Sequence, residues 1–330
     1  MKKVLVFPLL LAGFVSFAQN GTNVYPFLNI PVSARQAALG GDAISVRDQD
    51  VSFAIANPAL LNKDSDMQLA LNATAYLADS KYGTIAFAKD MDNGHFLTAN
   101  ARYMSYGNIP RTDESGFEMG EFSASDVAVG AGYAYQFEEN WTIGGGLNFI
   151  TSKIDTYTSS AIAGNAGITY HHKKNKETTS LVFRNFGYQF KSFNGTRENL
   201  PFRVDLGYTR ILPNFPLAIT ITAHDLQQFD ISQEYNLNGQ EVNVGRKIAD
   251  HFSLGAELFP ERSFNIRLGY NVRRGNELAV ADQRNFSGLS GGFGIKLSRF
   301  RLDYAHIRYH NSSNVNQLGI SVDLTSRKGE

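Results

Sequence analysis

From about residue 67 to the end of the chain, hydrophobicity alternates with a period of two. Val127, Val129, Ala131, Tyr133, Tyr135 and Phe137 form one apolar face, while Ala128, Gly130, Gly132, Ala134 and Gln136 form a small or polar one. Phe202, Val204, Leu206 and Tyr208 are interleaved with Arg203, Asp205, Gly207 and Thr209, and Phe264, Ile266, Leu268 and Tyr270 with Asn265, Arg267, Gly269 and Asn271. Near the end, Phe300, Leu302 and Tyr304 alternate with Arg301, Asp303 and Ala305, and Leu318, Ile320, Val322 and Leu324 with Gly319, Ser321 and Asp323. Successive side chains on a strand point to opposite faces, so this period specifies strands with one apolar and one polar face. A soluble sandwich turns the polar face to water. A membrane barrel turns the apolar face to lipid and the polar face to the lumen.

The connections separate the two. The pattern predicts about fourteen strands, near 67–77, 80–90, 94–105, 124–137, 140–153, 160–172, 177–190, 201–211, 215–225, 250–259, 262–273, 288–297, 299–308 and 315–325. Short connections alternate with a second set that contains every long one, at 106–123, 191–200, 226–249 and 274–287. Outer-membrane barrels have short periplasmic turns, longer outer loops and, in bacterial single chains, an even number of strands. The expected fold class is therefore all-β, a transmembrane antiparallel barrel of about fourteen strands, with periplasmic termini and surface-exposed long loops.

Composition agrees. Charged residues are only 19%, and 31 Lys+Arg balance 31 Asp+Glu, which excludes the basic surplus usual in a nucleic-acid binder. Phe (24) and Tyr (15) are abundant and gather near strand ends, as Tyr133, Tyr135 and Phe137 do beside Trp141, consistent with interfacial girdles. With no Cys, disulfides, thiol nucleophiles and Cys-based metal sites are excluded. No apolar run reaches 18 residues, so no helical span is expected. Met1-Lys2-Lys3, an apolar run from Val4 to Phe17 and the small residues Ser16 and Ala18 read as a signal peptide over 1–18. The organisation expected is signal peptide 1–18, plug segment 19–62 and barrel 63–330.

Candidate chemistry is thin. Gly288-Leu289-Ser290-Gly291-Gly292 fits G-x-S-x-G, but that elbow needs a strand before it and a helix after it, and here a strand follows. His306 and His310 would lie about 13 Å apart along a strand, too far to chelate one metal. His171-His172 beside Lys173-Lys174 reads as a solvated turn, and Gly144-Gly145-Gly146 lies in mid-strand with no helix to make a phosphate loop. No enzymatic activity, cofactor or metal site is expected. The small residues Gly144 and Gly146 instead suggest that something packs closely inside the barrel. The inward charges Arg203, Asp205, Arg267, Arg301, Asp303 and Asp323 are expected to form lumen salt bridges bracing it, a permeation site being the other reading.

The occupant is residues 20–62, which Pro26, Pro31 and Pro58 punctuate and in which Ser33 could cap a short helix to Leu39. Asn57-Pro58-Ala59 reads as a turn, because Pro58 biases Asn57 away from helix and the Asn side chain can bond nearby backbone. The run from Ser33 to Leu61 resembles the N-terminal signature of the FadL-like outer-membrane barrels, whose fold is a fourteen-stranded barrel with an N-terminal plug. Its carriers are Ser33-Ala34-Arg35, Ala38-Leu39-Gly40-Gly41, Asp50 and Asn57-Pro58-Ala59-Leu60-Leu61. More narrowly, Pro26 to Gly41 followed by the N-P-A-L-L run is similar to the PorQ members of the PorV/PorQ branch, which belongs to the type IX secretion system of Bacteroidota. One departure is the C-terminus, which lacks the terminal aromatic of many outer-membrane barrels.

The resemblance implies a non-enzymatic scaffold of the attachment complex. It would hold a PorZ-like surface protein, work beside PorU/PorV-type members, and contact outer-membrane lipid and lipopolysaccharide. The loops best suited to a partner are 106–123 and 226–249, which carry Tyr106, Phe117, Phe122, Phe229 and Tyr235 among polar residues. The alternative is a FadL-like channel for hydrophobic solutes, which predicts an apolar path between plug and wall and an opening at a strand kink.

Overall fold

In the computed structural model, residues 23–325 are described, apart from 236–238, 279–285 and 311–312. The expected signal peptide and the last five residues lie outside the described part. Fourteen strands close one antiparallel barrel: β1 Gln68–Ala75, β2 Lys81–Asp90, β3 His95–Thr112, β4 Glu118–Glu138, β5 Trp141–Ile154, β6 Tyr157–His172, β7 Glu177–Lys191, β8 Arg203–Ile211, β9 Leu217–Ala223, β10 Phe252–Leu258, β11 Phe264–Asn271, β12 Leu289–Leu297, β13 Phe300–His310 and β14 Ser313–Asp323. Each strand pairs with its sequence neighbours, and β1 closes on β14 from Gln68↔Asp323 to Ala75↔Asn316. Closure gives every strand a partner on both sides, the condition for a sheet to cross lipid.

The alternation read from the sequence orients the wall. Val129, Leu147, Leu206, Leu268, Leu302 and Leu318 are exposed and form part of an outward apolar belt. Arg203, Asp205, Arg267, Arg301 and Asp303 are buried in the lumen. Asp323 sits at the short-turn rim, where its carboxylate accepts from the Thr325 amide. Among the described residues, no helix is long and apolar enough to cross a membrane; the barrel crosses with strands.

One expected loop is something else. Most of 106–123 extends β3 and β4 into a hairpin, with Asn108↔Ser123, Ile109↔Phe122 and Pro110↔Glu121 in register and only the tip left as a turn. The neighbouring pairings stop at Lys81↔Ser105 and Ala124↔Ile154, so the hairpin projects as a two-stranded tongue. Both of its faces meet water, so no apolar alternation marks it, and Pro110 is tolerated because that strand has a free side. The connection 226–249 also contains a short helix, α2 (Val244–Ala249), and 272–277 forms a second.

Candidate functional site

The lumen is the site, and residues 24–66 fill it. Val24 donates its amide to the Asn199 carbonyl, and the Tyr25 hydroxyl meets Ser159 Oγ at 2.5 Å; both partners lie at the long-loop end. The segment then descends through the barrel to reach β1 at the short-turn end, so the described chain begins and ends at opposite rims. At the long-loop end Val24, Tyr25, Phe27, Leu28 and Leu200 make an apolar cluster against Tyr82, Met104 and Ile150 of the wall. Lower down, Ser33 caps α1 (Ala34–Ala38) by accepting from the Gln36 amide, as its position before an apolar run predicts.

The small faces of the strands are where the segment touches the wall. A Cβ placed on Gly144 would lie 2.6 Å from the Pro58 carbonyl carbon and 2.9 Å from Ala59 Cα. On Gly269 it would lie 2.6 Å from the Ala38 carbonyl oxygen, and on Gly255 3.0 Å from that of Leu39. Gly40, at φ +93°, is in the left-handed region that favours glycine, where α1 ends against β10 and β11. Asn57 fixes the turn at the opposite wall. Its Oδ1 accepts from the Ala59 amide, while its Nδ2 donates to the Ile44 carbonyl at 2.9 Å and to Thr169 at 3.4 Å. The Ser33–Leu61 signature is thus a set of packing and capping residues, nearly all fully buried.

Two ionic clusters join the segment to the wall. In the first, Arg35 donates to Glu257 at 2.8 Å and Asp48 at 2.5 Å, Arg267 bridges Glu257 at 2.9 Å and Asp303 at 2.6 Å, and Arg301 reaches Asp303 at 2.9 Å. Burial disfavours the Arg35 cation, but Asp48 and Glu257 outweigh it and hold the guanidinium well above its usual range. In the second, Arg203 reaches Asp42 at 2.9 Å and Asp205 at 3.2 Å, Arg184 reaches Asp205 at 3.1 Å, and Asn271 donates to Asp42 at 2.8 Å. Burial pushes the Asp42 carboxyl up, yet His224 and Arg203 overcome it and hold the group down at about 2. The expected salt-bridge bracing is present for Arg203, Asp205, Arg267, Arg301 and Asp303, whereas Asp323 takes no part in it and bonds Thr325 at the rim instead. The bracing partners Asp42, Arg184 and Glu257 were not picked out from the sequence, although Glu257 shares the polar face of β10 with Ser253 and Gly255.

Residues with a conceivable catalytic use are occupied otherwise. Ser290 donates to the Ala38 carbonyl at 3.1 Å and accepts from the Gly40 amide at 3.3 Å, and β12 continues through it as a strand. His306 Nδ1 bonds Asn316, and His171 Nδ1 bonds Thr178. No group of acidic or histidine side chains among the described residues could hold a metal. Of the proposed loop aromatics, Phe117, Phe229 and Tyr235 are exposed, at 72, 61 and 54%. Phe122 lies under the Arg111 guanidinium at 5.8 Å. Tyr106 turns inward, donates to Asp126 at 2.7 Å and packs on the Val24–Leu28 cluster, so it supports the plug side of the wall.

The pairing of β7 with β8 stops short of the end of β7. Asn185, at φ +55°, ends the β7–β8 pairing at Arg184↔Arg203, and β7 continues to Lys191 paired only with β6. Asn185 Nδ2 closes the seam by donating to Asn29 Oδ1 at 3.0 Å and to the Pro201 carbonyl at 3.1 Å.

The fold has solved counterparts. The chain is similar to the CymD monoaromatic hydrocarbon channel at 13% identity and TM-score 0.56, over 89% of this chain and 97% of that one. It is similar to the Pseudomonas putida toluene transporter TodX at 12% identity and TM-score 0.52, over 89% and 97%. A Pseudomonas aeruginosa FadL homologue matches at 10% identity and TM-score 0.52, over 89% and 98%. No family model matches the chain, and no curated protein does. The shared property is the fold.

Proposed function

We propose that this chain is a non-enzymatic outer-membrane scaffold that works through its long-loop face, holding a PorZ-like surface protein within a type IX secretion attachment complex of PorU/PorV-type members. The observation carrying this reading is the seating of the plug. Glycine-to-backbone contacts with β5, β10 and β11 and the Arg35–Glu257–Arg267–Asp303 cluster fill the middle of the lumen, leaving a rigid platform. The sequence signature from Ser33 to Leu61 supports the assignment to this branch, since its residues are those that seat the plug. Surface contact is assigned to the exposed aromatics Phe117, Phe229 and Tyr235. The test is a pull-down from detergent-solubilised outer membranes read by mass spectrometry, with the wild type and a deletion of 226–249. The deletion is expected to release a PorZ-like protein and keep a heat-modifiable barrel; retention of that partner overturns the loop assignment.

A second reading, a channel for hydrophobic solutes, is the one the solved neighbours favour, because CymD is described as a hydrocarbon channel and TodX as a toluene transporter. Within this chain it draws on the seam at Asn185, which lies beside the apolar cluster of Val24, Phe27 and Leu28. Toluene uptake into proteoliposomes that rises with the protein and falls in Asn185→Leu supports the channel. Uptake equal to that of protein-free liposomes sinks it.

A further inference from the structure

At the short-turn end, below the plug, the lumen opens into a cavity of about 690 Å³. That is within the size range of small-molecule sites, about 300–1,000 Å³, but its lining is charged. Most of its carboxylates already have partners. Asp48 and Glu257 are taken by Arg35, Asp66 by Lys89 at 3.2 Å, and Glu261 by Lys176 at 2.6 Å. Five lining cations, Arg47, Lys63, Lys173, Arg262 and Lys296, have no ion-pair partner among the described residues, and of these Lys296 donates to the Gln49 side chain at 2.9 Å. Facing them are two carboxylates outside any ion pair, Asp64 and Asp323, the latter engaged by Thr325. The cavity therefore carries an excess of uncompensated positive charge.

Arg47 is the group that makes this more than a basic surface. Its Nε is fully buried with no hydrogen-bond partner among the described residues. Burial pulls this guanidinium down to about 10, and Asp64, beyond ion-pair distance, only partly offsets that. Arg47 as a whole is only half-buried, but a buried donor left without an acceptor costs free energy that a bound anion would recover. A guanidinium presents its donors in a fork that matches the oxygens of a phosphate group, and flanking lysines add point charges.

We propose that this cavity is a phosphate-binding vestibule, with Arg47 as the central ligand and Lys63, Lys173 and Arg262 around it, taking the phosphate of a small organic ester or of a phospholipid headgroup. The test uses the full chain in zwitterionic nanodiscs, titrated by calorimetry with inorganic phosphate and with glycerol 3-phosphate. Saturable binding is expected for wild type, weakened by raised KCl. Arg47→Gln should lose at least tenfold in affinity, and Lys173→Gln, at a turn where folding is not at risk, a smaller factor. Lys153→Gln, on β5 at the opposite rim, should leave binding unchanged. Heat-modifiable migration of each variant separates loss of binding from loss of fold. Nanodiscs containing phosphatidylglycerol decide the source: competition with phosphate assigns the site to a lipid headgroup, and unchanged affinity assigns it to a soluble ester. No saturable binding to wild type, equal affinity in wild type and folded Arg47→Gln, or binding of a polyglutamate peptide in place of phosphate overturns the proposal.

Discussion

Gly144 and Gly145 are adjacent on β5 and make a matched pair for testing whether the plug is held by steric fit. Gly144 faces the lumen, where a Cβ would stand 2.6 Å from the Pro58 carbonyl carbon and 2.9 Å from Ala59 Cα. Carbon atoms rest about 3.5–4.0 Å apart, so Gly144→Ala requires the N-P-A turn to retreat by about 1 Å. Retreat strains the Asn57 bonds to Ile44 and Ala59. Overpacking of this kind costs about 1–3 kcal/mol, a factor of about 5 to 150 in the ratio of seated to displaced plug. Gly145 faces outward, and its added Cβ would meet only the Asn165 carbonyl oxygen, at the ordinary distance of 3.7 Å. The wall should survive both changes, since β5 stays paired on both sides. Planar-bilayer conductance of the purified proteins is the assay, with heat-modifiable migration as the fold control. Gly144→Ala is expected to raise the frequency of open events by a factor in that range, and Gly145→Ala to leave it at the wild-type value. Equal conductance in the two variants, both folded, would refute steric seating.

Three further outcomes follow from the same contacts. Asp42 has its folded-state pKa depressed from 3.8 to about 2, so its contribution is complete above about pH 4 and is lost as pH falls toward 2; bilayer conductance should rise over that interval, and Asp42→Asn should conduct more than wild type at pH 7 with the rise flattened. Asn57→Ala removes a cap and a buried donor, worth about 1–3 kcal/mol together, and hydrogen exchange at Ala59 should speed up while the β-strand amides keep their protection; unchanged exchange at Ala59 contradicts the capping role. Ser290→Ala deletes the bonds to Ala38 and Gly40 and should destabilise by about 0.5–1.5 kcal/mol per bond, with p-nitrophenyl ester hydrolysis the same as in wild type; serine-dependent hydrolysis would reinstate an enzyme.

The barrel could be read from the residues because each strand carries its own information. On β8, Arg203, Asp205, Gly207 and Thr209 are buried and Leu206 exposed, with Phe202 exposed just before the strand, as the alternation requires once lipid is the apolar phase. The tongue could not be read the same way. Asn108–Thr112 and Glu118–Phe122 have water on both sides, so pairing there leaves no trace in hydrophobicity. The helices in the long loops escaped for a related reason: each has six residues, too few to show a helical period, although Asn243 and Asn271 stand before them as caps. The ionic clusters are harder still. Arg35 and Glu257 are 222 residues apart, and nothing short of the barrel's closure and the plug's path brings them together.

The glycines lie between these two extremes, and they show how the interior is encoded. A lumen-facing position on a strand can be small for two reasons: to leave space open, or to let backbone approach. In a conducting pore the space beside such a residue would be free. Here the space beside Gly144 holds Pro58 and Ala59, that beside Gly269 holds Ala38 and Gly40, and that beside Gly207 holds Ile44 and Ser45. Gly167 meets Asn57, and Gly292 meets Ala38. The small faces of these six strands are therefore a negative of the plug, and the plug's order along the chain can be traced from them: Ala38 to Gly40 on β10, β11 and β12, Ile44 on β8, Asn57 to Ala59 on β6 and β5. The strands alone specify a barrel, whereas the residues missing a side chain on their inner faces specify what fills it. A plug held by so many backbone contacts on different strands leaves by a concerted displacement or stays. For this reason the charge clusters at Arg35 and Asp42, which bind the same segment to β10 and β8, are the contacts whose loss would set it moving.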